Sequence, residues 1–102
     1  MILSSENTLL EDIAEAKANG YTEDFMYADK SIIARQSKKS FKQNECILVE
    51  YCRHEGMSDT DDSSIVFLIA CHDGTKGCLS SAYGKDADTD LIDFVMALEK
   101  QE

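Results

Sequence analysis

Apolar residues recur at helical spacing in residues 8–19, where Leu9, Ile13 and Ala16 mark one face of an amphipathic helix. Thr8, with Glu11 three residues on, forms a capping-box pattern at its start. Gly20 can adopt the left-handed conformation that closes a helix, with Tyr21 placed to pack back on Ala16. The pattern changes to period two in residues 45–55. Ile47, Val49 and Tyr51 share one face of an expected strand, and Cys46, Leu48, Cys52 and His54 share the other, which Glu50 interrupts. Residues 63–72 contain Ile-Val-Phe-Leu-Ile-Ala-Cys, apolar on both faces, which predicts a central strand. The string Asp73-Gly74-Thr75-Lys76-Gly77 reads as a hairpin turn, with residues 78–83 as the return strand. A last helix starts near Asp88 or Thr89 and runs to about residue 100, with Leu91, Phe94, Val95 and Leu98 as its apolar stripe, widened by Ile92 and Met96.

Residues 21–44 have the weakest pattern; the β-branched pair Ile32 and Ile33 suggests a short strand at 31–35. The expected fold is α+β: an antiparallel three- to four-stranded meander sheet with an N-terminal and a C-terminal helix packed on it. The short connections between the last strands leave no room for crossovers between them. At 102 residues, the chain suits one small domain, residues 1–102.

Charge narrows the choice of partners. Twenty Asp and Glu against ten Lys and Arg give a formal charge of −10. Such a chain repels phosphate backbones and anionic membrane surfaces, so neither nucleic acid nor membrane is an expected partner. The N-terminus lacks the basic start and sustained apolar stretch of an export signal, and a cytoplasmic location is the expectation. The four cysteines, Cys46, Cys52, Cys71 and Cys78, are then expected as reduced thiols.

Each candidate chemistry has a simpler structural counterpart. Cys71 and Cys78 lie opposite each other if the hairpin closes symmetrically about Gly74 and Thr75, and Cys52 and His54 point to one side of their strand. On a single face these four would make a tetrahedral zinc set, but the paired Cys-x-x-Cys knuckle is absent. Packed thiols and a rim histidine are the expectation, with no metal or other cofactor. A thiol nucleophile needs an electropositive setting, which an acidic chain does not provide. Asp86, Asp88 and Asp90 imitate the start of a calcium loop, but Leu91 replaces its glycine and Ala97 its bidentate glutamate. Lys30, Arg35, Lys38, Lys39 and Lys42 are half of the ten basic residues and read as a solvated edge strand and loop.

Gly20-Tyr21-Thr22-Glu23-Asp24-Phe25, Glu55-Gly56-Met57, Asp61-Asp62-Ser63-Ser64, Asp73-Gly74-Thr75-Lys76-Gly77, and Ala82-Tyr83-Gly84 with Asp86-Ala87-Asp88 run through most of the chain. Together these strings resemble a family of short, uncharacterised bacterial proteins whose members often carry the label phosphoribosylpyrophosphate synthetase. The resemblance spans residues 20–88 and implies a shared fold. The synthetase pattern for ribose phosphate, acids followed by a Thr-Gly-Gly-Thr-like loop, has no counterpart here, so no catalytic residue carries over.

With no recognisable catalytic set, the expected role is that of a non-catalytic binding or regulatory domain acting on a protein partner or on itself. The hairpin and acidic loops are the contact regions, with Asp61, Asp62 and Tyr83 as the surface. The alternative is a ribose-phosphate or nucleotide binder or enzyme in which Lys38, Lys39 and Lys42 hold phosphate and the acidic loop holds magnesium.

Overall fold

A computed structural model of the chain describes residues 2–4, 6–54, 63–83 and 87–100. Helix α1, Leu9–Ala18, begins at Thr8, whose hydroxyl accepts from the Glu11 N–H while the Glu11 carboxylate accepts from the Thr8 N–H. It ends in a Schellman motif: Gly20 has a φ of 98°, its N–H donates to Lys17 O, and the Tyr21 N–H donates to Ala16 O.

Among the described residues seven strands follow: β1 Glu23–Ala28, β2 Ser31–Ala34, β3 Ser40–Phe41, β4 Cys46–His54, β5 Ser64–Cys71, β6 Lys76–Ala82 and β7 Glu99–Lys100. Helix α2, Thr89–Met96, lies between the last two and is capped by the Asp88 carboxylate, which accepts from the Leu91 N–H. The strands form one mixed sheet in the order β3-β2-β1-β6-β5-β4-β7, curled into a half-barrel.

This corrects the expected three- to four-stranded antiparallel meander. Strand β1 runs parallel to β6 through Glu23↔Gly77 and Asp24↔Cys78, and β7 runs parallel to β4. Both parallel pairs join strands far apart in sequence, so the intervening chain supplies the crossover that the last hairpins lack. The β1–β2 reversal escapes recognition because Asp29 and Lys30, with φ of 49° and 59°, occupy positions usually given to Gly or Asn. The C-terminal helix stops at Met96, short of the expected end, because Glu99 and Lys100 pair with Ile47 and Leu48.

Strand β5 is central and buried on both faces. Ile65, Phe67, Ile69 and Cys71 face a core completed by Phe25, Ile32, Phe41, Leu48 and Leu79 and by Leu91, Val95 and Leu98 from the α2 region. Val66 and Leu68 face the second core, with Ala16, Tyr21, Leu3 and Cys78. The two helices therefore cover opposite faces of the sheet.

Candidate functional site

A β-bulge at Val49 organises the site. Leu48 pairs with Ile69 and Glu50 with Leu68, so Val49 is the extra residue that turns the rest of β4 over. Cys46 and Leu48 face the α2 core, whereas Glu50, Cys52 and His54 face α1. The break in alternation at Glu50 is the sequence trace of this bulge.

Against that face lies Asp12, a first-turn residue of α1 with no exposed surface. Its carboxylate accepts from His54 Nε2 at 2.7 Å, Asn7 Nδ2 at 2.9 Å and the Ser4 N–H at 3.1 Å. Glu50 extends the arrangement, accepting from the Ile2 N–H at 3.1 Å and the Leu3 N–H at 2.6 Å. Two carboxylates thus hold three consecutive N-terminal amides. Among the described residues no buried side-chain nitrogen or oxygen is left without a partner.

Cys52 completes the group: ligand atoms of Asp12, Cys52 and His54 all lie within 4.8 Å of one another. An acid, an imidazole and a thiol are also the components of a nucleophilic triad, but the electrostatics oppose that use. Burial, and then the carboxylates of Asp12 and Glu50, push the Cys52 thiol up, which disfavours the thiolate.

The four-residue zinc set considered from sequence does not assemble. The hairpin closes earlier than symmetry about Gly74 and Thr75 requires: the Cys71 N–H donates to Thr75 O, and Gly74, with a φ of 95°, completes a three-residue loop. Cys78 therefore pairs with Leu68 on the α1 side, while Cys71 faces the opposite core. Cys71 lies instead against Cys46, with sulfurs 3.8 Å apart. The hydrogen bond to Cys46 and then burial raise the Cys71 thiol, and burial followed by Asp24 pushes Cys78 up to about 11. His54 is buried, not at a rim. Alkylation of the native protein at neutral pH should therefore label Cys52 slowly and leave Cys46, Cys71 and Cys78 intact. Peptide mapping in which the latter three react as fast as a small free thiol would contradict this burial pattern.

The other sequence candidates are dispersed. Asp61 and Asp62 lie outside the described residues. Tyr83 is half-buried, with the Arg53 guanidinium 5.1 Å from its ring centre and donating to its hydroxyl. Lys38 occupies a positive-φ turn position, and Lys39 pairs with Asp73 at 3.3 Å.

Elsewhere on the surface, a concavity of about 480 Å³ is lined by Tyr27, Lys30, Gln43, Asp90, Asp93 and Phe94. Tyr27 and Phe94 form its aromatic part, with ring centres 5.2 Å apart and planes inclined at 54°. Gln43 fixes the adjoining turn by donating from Nε2 to Phe94 O at 3.0 Å. Asp90 and Asp93 are exposed beside the rings. No sequence pattern announces this groove, since it joins the β1–β2 reversal to α2 across more than half the chain.

In comparisons with family models, curated proteins and solved structures, the chain matches none. No helix of the described residues is long and apolar enough to cross a membrane.

Proposed function

We propose that the chain is a non-catalytic binding domain that takes a basic segment of a partner protein into the groove between the β1–β2 reversal and α2. The observation that carries this reading is the Tyr27–Phe94 aromatic pair flanked by the exposed carboxylates of Asp90 and Asp93. An aromatic face and adjacent carboxylates are complementary to a Lys or Arg side chain, which can stack its cation on the ring and neutralise the acids. The overall charge of −10 attracts the same partners from a distance. A cytoplasmic location is part of this proposal.

Calorimetric titration at low salt should show binding of a Lys- and Arg-rich peptide, weakening as salt is added, and none of an acidic peptide of equal length. Replacing the two rim acids together, Asp90→Asn with Asp93→Asn, should lower affinity roughly tenfold, from two ion pairs of about 0.7 kcal/mol each. Equal affinity in the double variant, or no binding by the wild type at low salt, would remove the groove as the contact face.

A further inference from the structure

We propose that Asp12, Cys52 and His54 form a binding site for one divalent transition-metal ion, with zinc the best match to the donors. One carboxylate oxygen, one sulfur and one imidazole nitrogen lie within 4.8 Å of one another. Bonds of about 2.0–2.3 Å in a tetrahedral zinc site place ligand atoms roughly 3.3–3.8 Å apart, so modest side-chain rotations close the set. The mixture of O, N and S donors selects against calcium and magnesium, which take oxygen ligands.

The surroundings supply what a metal site requires beyond its ligands. Cys52 and His54 are two residues apart on β4 and share a face, and Asp12 comes from a helix lying across that face. Asn7 Nδ2 donates to Oδ1 of Asp12 and the Ser4 N–H is shared between its Oδ1 and Oδ2 at 3.1 and 3.2 Å, which holds the carboxylate in place with Oδ2 turned to His54. Cys52 is only partly buried, which leaves an approach for the ion and for a water as fourth ligand. The Asp12 and Glu50 carboxylates on this face attract a cation, and a coordinated thiol gives up its proton.

Binding is a proton exchange. The Cys52 thiol proton leaves to solvent as the sulfur–metal bond forms. His54 turns the Nε2 lone pair to the ion and carries its proton on Nδ1. The direct His54–Asp12 hydrogen bond is replaced by two metal bonds, and the thiolate and carboxylate together neutralise the dication.

The test uses the full chain, stripped with a chelator and titrated with zinc and then with cobalt. One ion per chain is expected, and the cobalt form should show thiolate-to-metal charge-transfer absorption in the near ultraviolet. Cys52→Ala should lose that band and bind zinc at least about 100-fold more weakly, since even partners that merely orient a ligand are worth 10–100-fold. Cys78→Ala should keep both properties. Absence of stoichiometric zinc binding, or a charge-transfer band that survives Cys52→Ala, overturns the site. If Cys52→Ala fails to fold, alkylation of the wild type decides: zinc protection of Cys52 supports the site, and unchanged labelling overturns it.

Discussion

Gly77→Ala should be among the most damaging single substitutions in the chain, costing roughly 3 kcal/mol by forced overpacking. A Cβ at position 77 would lie 2.1 Å from Glu23 O and 2.7 Å from Glu23 C, backbone atoms that cannot rotate away. Gly77 and Cys78 are also the β6 residues in register with β1, at Glu23 and Asp24. Those two pairs join the β3-β2-β1 half of the sheet to the β6-β5-β4-β7 half. Relieving the clash means moving β1 outward, which takes Phe25 and its edge-to-face partner Phe41 out of the α2-side core. For a domain of this size the loss corresponds to a fall in Tm of more than about 10 °C. Gly74→Ala is the control: nothing lies within 4 Å of its Cβ position, and only its φ of 95° is unfavourable, so roughly 1 kcal/mol is expected. Thermal unfolding followed by circular dichroism compares the two. Similar midpoints for both variants would show that the β1–β6 junction yields easily.

The parts of this fold that are legible in the sequence are those whose stabilisation is local or continuous. The Thr8–Glu11 capping box, the Gly20 helix end and the doubly apolar β5 depend on neighbours within a few residues, and the structure contains all three. Ile32 and Ile33 mark β2, but β1 and β3 leave little trace in the sequence because they are held by distant partners: β3 has only two residues, and β1 joins β6 through two register pairs. The residue opposite Cys71 on β6 depends on where the hairpin closes, and a symmetric closure at Gly74 and Thr75 wrongly places Cys78 there; the actual neighbour of Cys71, Cys46, comes from the separate β4–β5 register. Asp12 was hidden for a different reason. A carboxylate in the first turn of a helix is ordinarily explained by the helix dipole and solvent, and the one local sign against that is its place among Leu9, Ile13 and Ala16 on the apolar face, which does not name a partner. Only the bulge at Val49, visible as Glu50 breaking the alternation, turns His54 toward it. The groove at Tyr27 and Phe94 is likewise a product of topology, formed by side chains whose spacing carries no motif.

Asp12→Ala, measured in chelator-containing buffer, should destabilise the protein by about 3–5 kcal/mol, because it removes the common acceptor of three hydrogen bonds and unmade bonds of this kind cost about 1–3 kcal/mol each where they are buried. The substitution leaves buried His54 Nε2 and the partly buried Asn7 Nδ2 and Ser4 N–H without their acceptor. The damage extends beyond the pair, because the segment before α1 is held to β4 through Asp12 and Glu50, and Leu3 follows it into the second core. Asp12→Asn keeps an oxygen acceptor and nearly the same volume, so it should cost clearly less than the alanine variant. His54→Ala removes a donor whose partner keeps the Ser4 and Asn7 hydrogen bonds, and its cost should lie between the two. The double variant, Asp12→Ala with His54→Ala, should be more stable than the sum of the single losses implies, by roughly 1–3 kcal/mol, because the second deletion removes the group orphaned by the first. Urea unfolding of the four variants measures this coupling. Strict additivity would mean that Asp12 and His54 stabilise the fold independently, and would overturn the Asp12–His54 hydrogen bond as a source of stability.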